Sequence, residues 1–211
     1  DLRENKYRQR LLNLLGVKYI LNKVDPQVST AKADSQTFDN SIYKLIWQKT
    51  PWQIYENTQV LPRIFLASSY AVENDKDKIV RKIFDDKFNL REKIILEENL
   101  FPKITLVKDD AAKVEIKKYT PNEIVLQTVA STNMLLFLSD NYYTGWKVSV
   151  DGETGKIYRA DYSFRAVPIL KGNHSVRFSY NPDSFKLGLW ISAISLLGIL
   201  VLIILKKKNV K

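Results

Sequence analysis

Residues 140–146 hold the side chains whose types and spacing are most typical of a binding site. A carboxylate, an amide, two phenols and an indole stand close together here: Asp140, Asn141, Tyr142, Tyr143 and Trp146. Aromatic rings stack on the apolar C–H face of a sugar, while carboxylate and amide groups bond its hydroxyls. This pattern predicts a carbohydrate-binding site.

The same segment also has a structural interpretation, which the sequence taken alone favours. Trp146 would then fill the core of a β-sandwich, Gly145 would supply a bend, and the two tyrosines would cover the edge of the sheet. Under either interpretation the segment needs a β-rich framework that holds it between two strands.

Groups suited to catalysis or metal binding are sparse. The chain has one histidine, His174, and no cysteine, so neither a metal site nor an activated nucleophile is expected. Asp85 and Asp86 are adjacent acids, as are Asp109 and Asp110. Neighbouring side chains point in different directions in a strand or a helix, so neither pair aims two carboxylates at one bond. We predict no catalytic residue, no metal and no cofactor in this chain.

The end of the chain has the composition of a membrane span. Residues 187–205 contain no charged side chain and are rich in leucine and isoleucine. About 20 apolar residues in a helix cross the hydrocarbon core of a bilayer. We predict a transmembrane helix over residues 184–206 and a basic tail over 207–211.

The charges predict an orientation and weigh against one class of partner. Lysines crowd the tail, and positive charge beside a span tends to remain cytoplasmic, so the preceding domain would be extracytoplasmic. That placement needs upstream export, so we expect the C-terminal end of a longer membrane protein. The net charge is +10, but elsewhere basic and acidic residues are interspersed, which favours a solvated surface and no nucleic-acid partner.

The remaining pattern predicts a mainly β (α+β) fold. After residue 111, apolar alternation with a period of two recurs between turn residues, which is typical of an antiparallel β-sandwich or jelly-roll-like domain. The expected division is an α+β part over residues 1–111, with a loop excursion at 25–50, and a sandwich part over 112–183. A few short helices complete the domain.

Two local patterns give sharper predictions. Residues 146–150 alternate and end at Asp151 and Gly152, a pair typical of a hairpin turn. Asp75 precedes Ile79 and Ile83 at helical spacing, so an amphipathic helix capped by that aspartate is expected.

Several segments of the chain carry a resemblance to known proteins: residues 11–20, residues 55–57, residues 61–65, residues 140–146, residues 150–152, residues 164–167, and the run Gly172, His174, Val176, Phe178, Tyr180 and Pro182. In sequence and in order they resemble the C-terminal part of the YfhO family of bacterial polytopic membrane proteins. The shared order of the segments is more specific than any single segment.

The resemblance implies a function for the parent protein. The family is similar to GT-C membrane glycosyltransferases, which use a polyprenyl-phosphate sugar donor at the outer membrane face and decorate cell-envelope polymers such as lipoteichoic acid. The catalytic acid of such enzymes lies in an early extracytoplasmic loop, so no catalytic residue is carried over to this chain. The implied partners are the bilayer, an upstream transmembrane bundle, and a polyprenyl-linked sugar or envelope glycan.

Three hypotheses for this part of the parent follow. In the first, the ectodomain holds substrate, with Tyr142, Tyr143 and Trp146 as a stacking platform and Asp140, Asn141 and Arg165 as polar contacts. In the second, it is a non-catalytic scaffold or a partner-binding sandwich domain. In the third, it is an independent anchored surface protein.

Overall fold

The computed structural model describes residues 6–24 and 38–208. Within them lie three helices: α1 (Lys6–Leu14), α2 (Lys76–Ile83) and α3 (Asp183–Lys208). The strands, in chain order, are β1 (Tyr19–Lys23), β2 (Tyr43–Lys49), β3 (Trp52–Asn57), β4 (Ile64–Ala67), β5 (Ser69–Val72), β6 (Lys93–Leu96), β7 (Lys113–Thr120), β8 (Glu123–Ala130), β9 (Met134–Leu138), β10 (Trp146–Val150), β11 (Glu153–Gly155), β12 (Tyr158–Ala160), β13 (Phe164–Ile169) and β14 (Gly172–Tyr180).

Two large sheets confirm the prediction of a mainly β, antiparallel fold. The five-stranded sheet has the order β11-β10-β14-β8-β7, and the six-stranded sheet has the order β4-β9-β13-β12-β6-β5. Neighbouring strands are antiparallel except β5 and β6, which are parallel. The six-stranded sheet combines strands from both sides of residue 111, since β4 pairs with β9.

The two sheets face each other across one apolar core. Leu126 and Phe178 enter it from the five-stranded sheet, while Leu136 and Val167 enter it from the six-stranded sheet, and all four are buried. Full burial of such a side chain contributes about 1.5–3 kcal/mol. This core fixes the register of the strands from which the candidate site residues extend.

The other face of the six-stranded sheet forms a second core with α1 and α2. Phe137 and Phe164 point to this face, and their rings lie 5.6 Å apart. Leu14 of α1 and Ile79 and Ile83 of α2 close the layer. Strands buried on both faces explain why β9 is apolar throughout rather than alternating.

The helix α2 confirms the capping prediction. The carboxylate of Asp75 accepts hydrogen bonds from the backbone N–H groups of Asp77 and Lys78. The bond from Lys78, together with nearby charge, lowers the pKa of Asp75 because these donors stabilise its ionised form.

A smaller three-stranded sheet has the order β1-β3-β2. Phe38, Tyr43 and Tyr55 form its own core. The prediction of a loop excursion over residues 25–50 differs from the structure at Tyr43–Lys49, because these residues pair with β3 and form β2. Residues 25–37 of that prediction, and residues 209–211 of the predicted basic tail, lie outside the described residues.

One helix of the described chain is long and apolar enough to cross a membrane. This is α3, which begins three residues after β14 ends at Tyr180. Ser195 of this helix donates a hydrogen bond to the carbonyl of Ile191. Its hydroxyl thereby has a hydrogen-bond partner, which acyl chains could not provide. We call the end of the sandwich next to the start of α3 the anchor end. It contains Tyr180, Trp146 at the start of β10, and Asp140 after β9.

Candidate functional site

Asp140 lies at the centre of a polar cluster at the anchor end. Its Oδ1 accepts a 3.0 Å hydrogen bond from Nε of Arg63 and forms an ion pair with Nη2 of the same residue, also at 3.0 Å. Its Oδ2 accepts a 2.6 Å hydrogen bond from the Tyr119 hydroxyl and lies 3.4 Å from Nη2 of Arg165. The carboxylate is therefore held by two guanidinium groups and a phenol.

Arg165 is the buried member of this cluster, with 2% of its surface exposed. It follows Phe164 on β13, and since side chains alternate along a strand, it points into the space between the two large sheets. Its guanidinium carbon lies 4.2 Å from the Trp146 ring centroid. Burial lowers the pKa of Arg165, while the charge of Asp140 opposes that shift. A buried arginine of this kind depends on its carboxylate.

Tyr119 lies in the same cluster, and its surroundings change its pKa. Burial, with the hydrogen bond to Asp140, raises the pKa of Tyr119 to about 12. The phenol thus remains protonated at neutral pH and donates to the carboxylate. The guanidinium carbon of Arg63 lies 5.1 Å from the Tyr119 ring centroid, which adds a cation–π contact.

Trp146 lies between the cluster and the start of α3. It pairs with Tyr180 across β10 and β14, and their ring centroids lie 5.5 Å apart. The next residue, Lys147, places its Nζ 3.6 Å from Oδ1 of Asp183, the first residue of α3. Arg165 approaches the indole as well. The contacts of Trp146 are thus those of a packing residue at the base of α3.

The other predicted site residues lie outside this cluster. Asn141 is exposed, and Tyr143 is 62% exposed, with its ring centroid 6.4 Å from that of Tyr180. The backbone N–H of Tyr142 donates to Ser163, and its ring lies 4.9 Å from the guanidinium carbon of Arg159. The structure therefore brings Asp140, Trp146 and Arg165 together and leaves three neighbouring residues on the adjoining surface.

Gly145 sets the path of the loop. Its φ is +100°, a conformation that side chains with a Cβ rarely adopt. A Cβ placed on it would lie 2.9 Å from Cβ of Pro182 and 3.0 Å from the Tyr180 ring. Its carbonyl accepts a 2.8 Å hydrogen bond from the N–H of Asn181. The absence of a side chain thus allows the loop to contact the segment that leads into α3.

Gly145→Ala is expected to destabilise the folded domain by more than about 1 kcal/mol, because it combines backbone strain with close contacts. Urea unfolding of the full chain in detergent measures this. Gly152→Ala is the matched control, since φ there is +90° but no atom lies within 4 Å of the added Cβ. Equal losses in both variants would contradict a role for the contact with Pro182.

Two of the cluster's residues were not identified from the sequence as site residues. Arg63 stands in a segment that resembles the family, yet its partner Asp140 lies 77 positions away. Tyr119 lies 21 positions from the same carboxylate. The buried position of Arg165, which requires a neighbouring acid, is the signal that could have directed attention to Asp140 and its other partners.

The cluster has the chemistry of a binding or supporting element. Both oxygens of Asp140 already accept hydrogen bonds, so a ligand would have to compete with Arg63 and Tyr119 for them.

Among the described residues, no group of three or more histidines and acids is placed to hold a metal ion. His174 lies 2.6 Å from Asp151, and that hydrogen bond lowers the pKa of Asp151. This pair adjoins the hairpin turn at the other end of β10.

Comparisons with known proteins identify the family of this chain. The family model described as bacterial membrane protein YfhO matches residues 78–192, which is more than half of the chain. The chain is 30% identical over 111 residues to the protein YfhO of Bacillus subtilis (strain 168), and the match covers 52% of this chain and 13% of that relative. No solved structure matches the chain. The matched region includes β6–β14. It also includes Tyr119, Asp140, Trp146 and Arg165 of the candidate site and the start of the apolar helix. The chain therefore belongs to the YfhO family of bacterial membrane proteins.

Proposed function

We propose that this chain is the C-terminal ectodomain and membrane anchor of a polytopic glycosyltransferase of the GT-C type. The parent would transfer sugar from a polyprenyl-phosphate donor to a cell-envelope polymer such as lipoteichoic acid. Support comes from membership of a bacterial membrane family and from the apolar helix α3. Within the parent, this part would position substrate beside the membrane.

One observation carries the substrate-positioning role: exposed aromatic and amide groups adjoin a rigid cluster at the anchor end. Asn141 and Tyr143 are exposed, and they lie one and three residues after Asp140, which Arg63 and Arg165 hold in place. An exposed ring can stack on the apolar face of a sugar while a nearby amide bonds its hydroxyls.

The position of this edge fits a lipid-linked substrate. Two residues, Asn181 and Pro182, connect β14 to α3, and Gly145 packs against this connection. A sugar attached to a polyprenyl phosphate is confined to the membrane surface. With the basic tail on the cytoplasmic side, as its lysines favour, the edge would face the outer leaflet.

A scaffold role is the second candidate, and the geometry of the cluster favours it for three of the predicted residues. Arg165 contacts both Asp140 and Trp146, and all three are held within the fold. In this case the cluster would stiffen the junction between the sandwich and α3 and so support the upstream membrane domain.

Tyr143→Ala is expected to weaken glycan binding about tenfold, the loss typical of one aromatic stacking contact. The full chain in lipid nanodiscs would be titrated with envelope glycans and polyprenyl-linked sugars. Tyr7→Ala is the control, since Tyr7 is also exposed but lies on α1. Unchanged affinity in the Tyr143 variant, or no saturable binding to the native chain, would contradict substrate positioning and leave the scaffold role.

A further inference from the structure

The three-stranded sheet has one face that turns away from its own core. In the antiparallel pairings, Leu21 lies opposite Ile54 and Ile54 opposite Trp47, so these residues share a face. The opposite face carries the buried residues Tyr43 and Tyr55. We call the first of these the outer face; its residues are Tyr19, Leu21, Lys23, Lys44, Trp47, Lys49, Trp52, Ile54 and Glu56.

The outer face is apolar and aromatic, yet it is open to solvent. Leu21 is 63% exposed and Tyr19 54%, while Trp47 and Trp52 are 45% and 40% exposed. The cross-strand pairing makes these side chains neighbours. Contiguous apolar groups of this kind on a protein surface mark a contact site.

Lysines surround the apolar groups on the same face. Lys23 lies opposite Trp52, and Lys49 lies opposite the same tryptophan from the other side. The Lys23 Nζ atom is 5.7 Å from the Trp52 ring centroid. Glu56, which carries the negative charge of this face, lies 3.4 Å from Lys18 at its border. The outer face is therefore positively charged as well as apolar.

This sheet joins the sandwich at the anchor end. A Cβ built on Gly16, just before β1, would lie 3.9 Å from Oγ of Ser139, the residue before Asp140. After β3, the N–H of Leu61 donates to the carbonyl of Asn13. Both connections to the sheet thus lie near the end of the sandwich from which α3 leaves.

We propose that the outer face docks on an anionic lipid surface. Tryptophan and tyrosine favour the interface between headgroups and acyl chains, where their rings are buried and their polar atoms hydrated. Lysines add attraction to anionic headgroups. The anchor raises the local lipid concentration, so a modest intrinsic affinity suffices for docking. The contact would fix the orientation of the sandwich relative to the membrane.

Charge favours lipid over the other possible occupants. A second copy of this chain would place Lys23, Lys44 and Lys49 against the same lysines in a symmetric contact. An uncharged apolar protein surface would leave the same lysines without partners. Anionic headgroups satisfy the lysines while the acyl boundary takes Leu21 and the aromatic rings.

Site-directed fluorescence in vesicles tests this directly. The sequence contains no cysteine, so a single Leu21→Cys variant can carry an environment-sensitive NBD dye. Gln48→Cys is the matched control, because Gln48 is exposed on the same sheet but points to the other face. The full chain would be reconstituted in phosphatidylcholine with about 30% phosphatidylglycerol and in phosphatidylcholine alone, with brominated lipids as quenchers.

The expected result is strong quenching of the dye at position 21, weak quenching at position 48, and dependence on anionic lipid. Combining Lys23→Gln, Lys44→Gln and Lys49→Gln should lower the ratio of docked to undocked protein about a hundredfold. As a control, replacing the exposed lysines Lys76, Lys78 and Lys103 by glutamine should leave the ratio of docked to undocked protein unchanged.

Equal quenching at both dye positions would overturn the proposal. So would quenching that is the same without phosphatidylglycerol. Protection of the dye that rises with the protein-to-lipid ratio would assign the outer face to a second copy and also overturn it.

Discussion

Replacing Asp140 by alanine is expected to destabilise the folded domain by about 3–5 kcal/mol, because it leaves Arg165 buried without its carboxylate. Arg165 is 2% exposed and approaches Trp146 and Phe178 with its guanidinium group. Its Nη1 atom has no hydrogen-bond partner in the described structure. Loss of the acid would therefore remove the charge that makes burial of this arginine tolerable.

Denaturant unfolding of the full chain in detergent gives the measurement. Arg63→Ala is the control, since the Arg63 side chain is 58% exposed and such ion pairs contribute about 0–1 kcal/mol. Adding Arg165→Met to Asp140→Ala should recover much of the lost stability, because no unpaired charge remains. A loss for Asp140→Ala no larger than that for Arg63→Ala would show that Arg165 does not depend on this carboxylate.

Asp161 should make the folded domain less stable as the pH rises. Its side chain is buried after β12, where Oδ1 accepts a 2.8 Å hydrogen bond from the N–H of Ile95, while Oδ2 has no partner within the described residues. Burial raises the pKa of Asp161 from its ordinary 3.8 to about 7. Between those values the folded state retains a proton that the unfolded chain has released.

The sign follows from proton linkage. The stabilisation is fully present below the unfolded pKa and is lost as the pH rises through the folded pKa, with an amplitude of about 4 kcal/mol. Asp161→Asn should remove this dependence, since asparagine cannot ionise and tolerates the positive φ of 41° at this position.

Unfolding curves at about pH 5 and about pH 8 for both proteins measure the effect as a difference, which cancels the contributions of other groups. The native chain should lose more stability than the Asp161→Asn chain over this interval. Equal losses of stability in the two proteins would contradict the prediction that Asp161 stays protonated in the folded state.

Elements with short-range patterns were predictable from the sequence. The hairpin between β10 and β11 forms as predicted, with Asp151 and Gly152 both at positive φ in its turn. The helix α2 begins after Asp75, and α3 covers the predicted span. In each case the residues that determine the structure are close in the sequence, so alternation, capping and hydrophobic length suffice.

The interactions that depend on distant residues were not predictable in the same way. Residues 43–49 form β2 because β3 follows and offers a partner, and the strand has a register shift between Leu45 and Trp47 that weakens its alternation. The cluster around Asp140 depends on β4, β7 and β13 converging at one end of the sandwich. One sequence offers no signal for such pairings beyond the requirement that a buried arginine be neutralised.

The proposed substrate-positioning role of the exposed edge beside Asp140 is tested most directly in the intact parent protein. The measurement is sugar incorporation into the envelope polymer by a parent that carries Asn141→Ala and Tyr143→Ala, at membrane levels equal to those of the native protein. A clear loss of incorporation is expected, with Tyr7→Ala unaffected. Full incorporation by the double variant would contradict substrate positioning.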